Sequence, residues 1–200
     1  MNRARIFLTG VGGQGTLTAT TLLARTALDA GLAVTAGEIH GMAQRGGVVE
    51  STLLIGGYKS PVISKGEADV LLGFELLETL RALPMLKRGG VVVGNSESVQ
   101  PVGVCLGREC YPPLDAVLET ARGFSARIIM VPCISLAEQA GTAKAANMVL
   151  IAAAAGSGAL PFGVDALARS VEKYLKPKIV PLNLKALELG AQAAATGQAA

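Results

Sequence analysis

Short apolar runs alternate with longer stretches of helical periodicity along the chain. Residues 5–9 and 32–36 have the length and composition of buried strands. Between them, residues 16–30 place apolar side chains around most of a helical circumference, which predicts a helix packed on more than one side. Gly31 is the expected stop of this helix. The order strand, glycine loop, helix and strand predicts a right-handed crossover within a parallel sheet.

The next connection is too short to hold a crossover helix. Residues 37–47 read GEIHGMAQRGG and are irregular and polar, so the apolar run at 48–55 is predicted to be a strand that pairs antiparallel or lies at an edge. Further strands are predicted at 68–74, 91–93 and 126–131. Further helices are predicted at 75–86 (interrupted at Pro84), 113–122, 143–155, 164–175 and 183–195, the last with Asn183 as its N-cap.

This order of elements predicts one α/β domain over residues 1–195. We expect a Rossmann-like fold with a mostly parallel sheet, flanking helices and a helical C-terminal portion. No linker and no repeat interrupts the pattern. Residues 196–200 are expected to fray, because a short polar and alanine-rich tail has little to pack against.

Composition narrows the classes of function. Half of the 200 residues are hydrophobic and 16% are charged, so we expect another chain to cover part of the apolar surface. The absence of Trp and the small net charge of +3 do not favour binding of nucleic acid. The apolar run at 145–155 is too short to span a bilayer and no signal peptide is recognisable, which predicts a cytoplasmic protein. Cys105, Cys110 and Cys133 form no Cys-x-x-Cys pair, so we expect free thiols and no zinc or iron–sulfur site in this chain alone.

The stretch GVGGQG at 10–15 lies between the first strand and the first helix. Gly10, Gly12 and Gly15 match the G-x-G-x-x-G fingerprint, in which bare backbone lets phosphate oxygens approach a helix N-terminus. Glu38 follows at about the offset of the acid that binds a ribose. It is expected in a polar loop rather than at a strand tip. The loop by itself therefore leaves three readings open: a nicotinamide or flavin dinucleotide, another anionic group, or a tight structural turn.

A second constellation is Arg45-Gly46-Gly47. A guanidinium beside bare backbone can bind an anion or the carboxylate of a partner, or it can be a solvated side chain at a turn. His40 is the only histidine and has no Ser or Cys that can be paired with it, so no catalytic residue is predicted. Asn147 lies in an apolar helix and is expected to hydrogen-bond a nearby loop backbone.

Several segments together resemble the gamma-type domain of the 2-oxoacid:ferredoxin oxidoreductases, from about residue 5 to about residue 190. They are GVGGQGTLTATTLLARTALDAG, HGMAQRGGVVESTLLIG, Asn147 and Asn183. Pyruvate-type members usually carry a Tyr-Gly-like segment with an acid before Arg-Gly-Gly. HGMAQRGG departs from that form and is similar to indolepyruvate-type members.

The resemblance implies that a 2-oxoacid, indolepyruvate or another aryl pyruvate, is converted to an acyl-coenzyme A while ferredoxin takes the electrons. It implies that thiamine diphosphate, magnesium and [4Fe-4S] clusters belong to a larger partner subunit. This chain has neither a Gly-Asp-Gly motif followed by Asn nor a cysteine set for a cluster. The chain alone is then expected to bind none of these cofactors and to be inactive.

The resemblance also implies roles for single residues. The chain is expected to dock on the larger subunit and to help form the channel for coenzyme A, its co-substrate. The positions expected to bind it or the partner backbone are Gly10, Gly12, Gly13, Gln14, Gly15, Arg45, Gly46 and Gly47. His40, Met42 and Gln44 are expected to line the interface. A stand-alone NAD(P)-binding reductase and a purely structural assembly subunit remain alternatives, and self-association is left open.

Overall fold

The computed structural model describes residues 3–39 and 47–196, which build a six-stranded sheet in the order β2-β3-β1-β4-β5-β6. The strands are β1 (Ala4–Val11), β2 (Val34–Ile39), β3 (Val48–Ile55), β4 (Ala68–Gly73), β5 (Leu86–Asn95) and β6 (Ser125–Val131). The α-helices are α1 (Thr16–Asp29), α2 (Leu76–Ala82), α3 (Val102–Cys105), α4 (Leu114–Arg122), α5 (Cys133–Ala140), α6 (Ala146–Gly156), α7 (Val164–Tyr174) and α8 (Val180–Thr196). Within the described residues, three short 3-10 turns lie at Leu83–Met85, Ala143–Ala145 and Pro177–Ile179.

The sheet is parallel across β1, β4, β5 and β6 and antiparallel on the other side of β1. β1, β4, β5 and β6 pair in parallel, whereas β3 pairs antiparallel with both β1 and β2. The predicted antiparallel pairing of β3 is confirmed. β3 nevertheless lies inside the sheet, and β2 takes the edge. The first crossover therefore does not join neighbouring strands, because β3 is inserted between β1 and β2.

Two apolar layers cover the two faces of the sheet. The larger layer joins α1, α6, α7 and α8 to side chains such as Ile6, Leu8 and Leu53. α6 is buried from Asn147 through Ala155, which explains why it lacks a polar face. The smaller layer joins α2 and α4 to Phe7, Leu54 and other residues of the opposite face. Helices on both faces are what a largely parallel sheet requires, because both of its faces are apolar.

Several predicted boundaries differ from the structure. The helix predicted at 75–86 ends at Ala82, because Pro84 lies in a 3-10 turn and Leu86 already begins the ten-residue strand β5. Asn183 is not an N-cap: α8 begins at Val180, and the Asn183 Nδ2 donates to the Ile179 carbonyl at 2.7 Å. The polar stretch that begins at residue 37 does not start as a loop, because residues 37–39 continue β2.

Candidate functional site

A pocket of about 680 Å³ opens at the carboxyl ends of the parallel strands. Its walls include the loop after β1, Phe74 after β4, Asn95 at the end of β5 and Cys133 after β6. The first turns of α6 and α8 add Asn147 and Asn183. Open α/β sheets bind ligands in the crevice at this edge, so the pocket is the candidate functional site.

The predicted glycine loop lies at this pocket and is braced by its own residues. The Val11 amide donates to the Gln14 Oε1 at 2.7 Å, and the Gln14 amide donates to the Val11 carbonyl at 3.1 Å. The Gly12 amide donates to the Gly47 carbonyl at 2.9 Å. Three amides of this stretch and the Gln14 side chain thus have partners within the chain. The structure also brings the loop against the end of the Arg-Gly-Gly segment.

Close packing explains two of the glycines in the loop. A Cβ on Gly10 would lie 2.8 Å from both the Gln14 Oε1 and the Phe74 Cβ. Gly15 has a φ of 80°, and a Cβ there would lie 2.6 Å from the Asn147 Nδ2. Gly13 has a φ of 105° and open space around it, and it lines the pocket. Of the three readings of this stretch, a tight turn accounts for Gly10 and Gly15, and Gly13 is left facing the pocket.

Three asparagines that are more than nine-tenths buried line the pocket. As predicted, the Asn147 Nδ2 donates to a loop carbonyl, that of Gly15, at 3.3 Å, and its Oδ1 accepts the Met148 amide. The Asn95 Oδ1 accepts the Cys133 amide at 3.1 Å, which joins the end of β5 to the start of α5. Asn183 differs, since its Oδ1 has no hydrogen-bond partner among the described residues. This oxygen is open to solvent, so water or a ligand in the pocket can donate a hydrogen bond to it.

Sequence reasoning missed Asn95 and Lys144. Both belong to the pocket, and a polar residue ending an apolar strand was the signal available for Asn95. Lys144 is the charged side chain in the lining, and Lys176 and Lys178 lie beside the lining residues Leu175 and Ile179. None of these lysines forms a salt bridge with a described residue. Lys144 at the lining can attract an anion, and the carboxylate of Glu97 lies at the same edge of the sheet, next to Ile134.

Cys133 contributes packing rather than reactivity. It is buried at the start of α5, where the Glu97 carboxylate accepts the Ile134 and Ser135 amides. Burial raises the pKa of the Cys133 thiol, and the charge of Glu97 raises it further, so the thiol is neutral at pH 7. Cys133, Cys105 and Cys110 are all free, as predicted.

The remaining site predictions lie outside this pocket or outside the described residues. Glu38 is exposed in the edge strand β2, and β3 separates β2 from β1 and its glycine loop. A Rossmann fingerprint needs that acid on the strand beside the loop. The predicted positions His40, Met42, Gln44, Arg45 and Gly46 lie outside the described residues.

Comparison with known proteins places the fold and the family. The family model for pyruvate ferredoxin/flavodoxin oxidoreductase matches residues 5–193. The chain belongs to this family. An indolepyruvate oxidoreductase subunit IorB from Archaeoglobus fulgidus is 40% identical over 196 residues, which cover 98% of each chain. The expected resemblance to this oxidoreductase family is therefore confirmed.

Two further proteins that this chain resembles differ in the share of their own length that the match covers. A ketoisovalerate oxidoreductase subunit VorA from Methanothermobacter thermautotrophicus is 26% identical over 94% of this chain, but that match covers only 36% of VorA. The crystal structure of the pyruvate oxidoreductase subunit PORC from Thermotoga maritima has a TM-score of 0.73 at 23% identity and covers 96% of this chain and 97% of its own. It shares the α/β fold predicted from the sequence.

The described residues include no helix with the length and apolarity needed to cross a membrane. Within residues 3–39 and 47–196, no group of three or more His, Cys, Asp or Glu side chains is arranged to hold a metal ion.

Proposed function

We propose that this chain is the non-thiamine subunit of a 2-oxoacid:ferredoxin oxidoreductase that acts on indolepyruvate or another aryl pyruvate. The observation that carries the proposal is the 40% identity to an indolepyruvate oxidoreductase subunit over 98% of both chains. The enzyme converts the 2-oxoacid and coenzyme A to an acyl-coenzyme A and CO2, and two electrons pass to ferredoxin. Thiamine diphosphate, magnesium and [4Fe-4S] clusters lie on the larger subunit and supply the decarboxylation and electron transfer.

The pocket at the carboxyl edge is the site for coenzyme A. Its volume of about 680 Å³ suits a ligand with an extended uncharged arm. Ile134, Met148 and Leu150 supply apolar walls for that arm. The unpartnered Oδ1 of Asn183 can accept an amide N–H from it. Lys144 at the wall, together with Lys176 and Lys178 next to the lining residues, suits the phosphates at the other end of coenzyme A.

The two predicted glycine segments have different roles under this proposal. Gly13 and Gly15 border the pocket, while Gln14, Gly10 and Gly12 hold the loop in shape. Arg45 and Gly46 stay a predicted contact for a phosphate or a partner carboxylate. His40, Met42 and Gln44 likewise stay a predicted part of the interface. The edge position of Glu38 does not favour the alternative of a stand-alone NAD(P)-dependent reductase.

Replacement of Lys144 tests the coenzyme A assignment in the assembled enzyme. Lys144→Ala removes one exposed charge contact, so the KM for coenzyme A rises about three- to fivefold while kcat stays near that of the wild type. Lys65→Ala is the matched control, because Lys65 is an exposed lysine before β4, at the opposite edge of the sheet. Turnover is followed with the 2-oxoacid saturating and ferredoxin as acceptor.

Equal KM values for the Lys144→Ala and Lys65→Ala enzymes would contradict the pocket assignment and favour a purely structural subunit. Micromolar binding of NAD(H) to the isolated chain in calorimetry, weakened by Glu38→Ala, would instead support the reductase.

A further inference from the structure

Exposed apolar side chains concentrate at the edge of the sheet where the pocket opens. Seven large hydrophobic residues in the described part of the chain are exposed, and five of them lie at this edge. We call these five the apolar rim: Leu17, Val48, Val102, Leu106 and Ile179. The other two are Leu28 and Val62. A protein surface seldom gathers most of its exposed large apolar side chains along one edge unless another molecule covers them.

Main-chain topology brings the rim together. Leu17 is in the first turn of α1, and Val48 pairs with Val11 at the carboxyl end of β1. Ile179 lines the pocket itself. Leu28, by contrast, is at the far end of α1. The rim therefore combines residues from distant parts of the sequence at one edge of the sheet, and Ile179 joins it to the pocket.

The part of the rim that carries α3 is held firmly. Tyr111 donates a hydrogen bond to the carboxylate of Glu75, which is fully buried after β4. A salt bridge of 2.8 Å joins Arg81 of α2 to Glu109. These contacts fix the segment between β5 and α4 against α2. Val102 is consequently presented at a defined place, as interface anchors are, rather than on a loose loop.

We propose that the apolar rim is the surface on which the larger subunit docks, so that the pocket opens into the interface between the two subunits. This inference rests on the proposed function. The larger subunit would hold the thiamine diphosphate that supplies the decarboxylation, and the thiol of coenzyme A would take the acyl group there, so the mouth of its pocket would face that subunit. The longer VorA relative supports this occupant, because its matching region is 36% of a chain that carries a larger remainder. A closed apolar interface would also exclude water from the transfer step.

Two matched double variants test the docking surface. Leu17→Ser with Val102→Ser alters the rim, where the exposed fractions are 49% and 50%. The control, Leu28→Ser with Val62→Ser, replaces the same residue types outside the rim, where the exposed fractions are 57% and 69%. Leu28 lies on the same helix, α1, as Leu17. The affinity of each purified chain for the larger subunit is measured by titration, and thermal midpoints verify folding. We expect the rim variant to bind about tenfold more weakly or worse, and the control within about twofold of the wild type.

The possible results distinguish an error in the docking surface from an error in the proposed function. If the rim variant and the control bind the larger subunit equally well, the docking surface is wrong, while the complex formed by the wild-type chain upholds the proposed function. If the wild-type chain forms no complex with the larger subunit, the proposed function itself fails. If sedimentation shows a wild-type dimer that only the rim substitutions dissociate, with binding to the larger subunit unchanged, a second copy covers the rim and the inference is overturned. A single Leu106→Ser variant provides the same comparison if the rim double does not fold.

Discussion

Gly15 gives the sharpest test of how the glycine loop is built. Alanine at this position must adopt a φ of 80°, and its Cβ would lie 2.6 Å from the Asn147 Nδ2. Gly31 supplies the control. It has nearly the same φ, 75°, but nothing lies within 4 Å of the position of its Cβ. The two substitutions therefore share the backbone strain and differ in the contact with Asn147.

The structure sets the size of each effect. A left-handed backbone costs an L-residue about 1–2 kcal/mol, which is the whole expected loss for Gly31→Ala. Gly15→Ala adds the displacement of Asn147, worth about 1–3 kcal/mol as overpacking. It also loses the 3.3 Å hydrogen bond from Asn147 to the Gly15 carbonyl, worth about 1 kcal/mol. We expect Gly15→Ala to lower the free energy of unfolding by about 3–6 kcal/mol.

Urea unfolding of the isolated chain measures these differences. A double-mutant cycle with Asn147→Ala isolates the contact, because the smaller side chain leaves room for the new Cβ. In that background Gly15→Ala should cost only about 1–2 kcal/mol, the same as Gly31→Ala. The slope of the free energy against urea should be unchanged throughout, which shows that the variants remain comparable.

Equal losses of stability for Gly15→Ala and Gly31→Ala in the wild-type background would show that the contact with Asn147 adds no cost. A double-mutant cycle that shows no coupling energy between positions 15 and 147 would lead to the same conclusion. Gly15 would then be required for its backbone conformation alone, or for a ligand, and not for packing against α6.

Two further substitutions probe buried polar groups. Tyr111→Phe removes the hydrogen bond to the buried carboxylate of Glu75 and should lower the free energy of unfolding by about 1.5–3 kcal/mol. A loss below about 0.5 kcal/mol in urea unfolding would show that this hydrogen bond does not anchor the segment. Burial raises the pKa of Glu50 above its ordinary value of 4.5, so the folded chain holds this proton more tightly and loses stability as pH rises through the folded pKa. Glu50→Gln should therefore be more stable than the wild type at pH 8, and this gain should disappear at about pH 4. Urea unfolding at several pH values measures the gain. A gain that does not change with pH would show that the charge of Glu50 is not its cause.

Local patterns in the sequence were enough to predict most elements and the family. Short apolar runs predicted β1, β4 and β6, because a strand buried on both faces needs no polar alternation. The same reasoning placed GVGGQG between a strand and a helix and expected a backbone partner for Asn147. Local reasoning was weakest near proline and at polar strand ends. It extended a helix through Pro84 and treated the end of β2 as loop.

The amino-acid sequence by itself determined the α/β class, the mostly parallel sheet and the membership in the oxidoreductase family, because periodicity and short motifs are local properties of the chain. Only the tertiary structure decided that β3 enters between β1 and β2, since strand order depends on pairing between distant segments. It also decided what the glycines are for. Gly15 is next to Asn147, 132 residues further along the chain, and Gly10 is next to Phe74. The missing side chains that suggested a dinucleotide make room, at these two positions, for the protein's own residues.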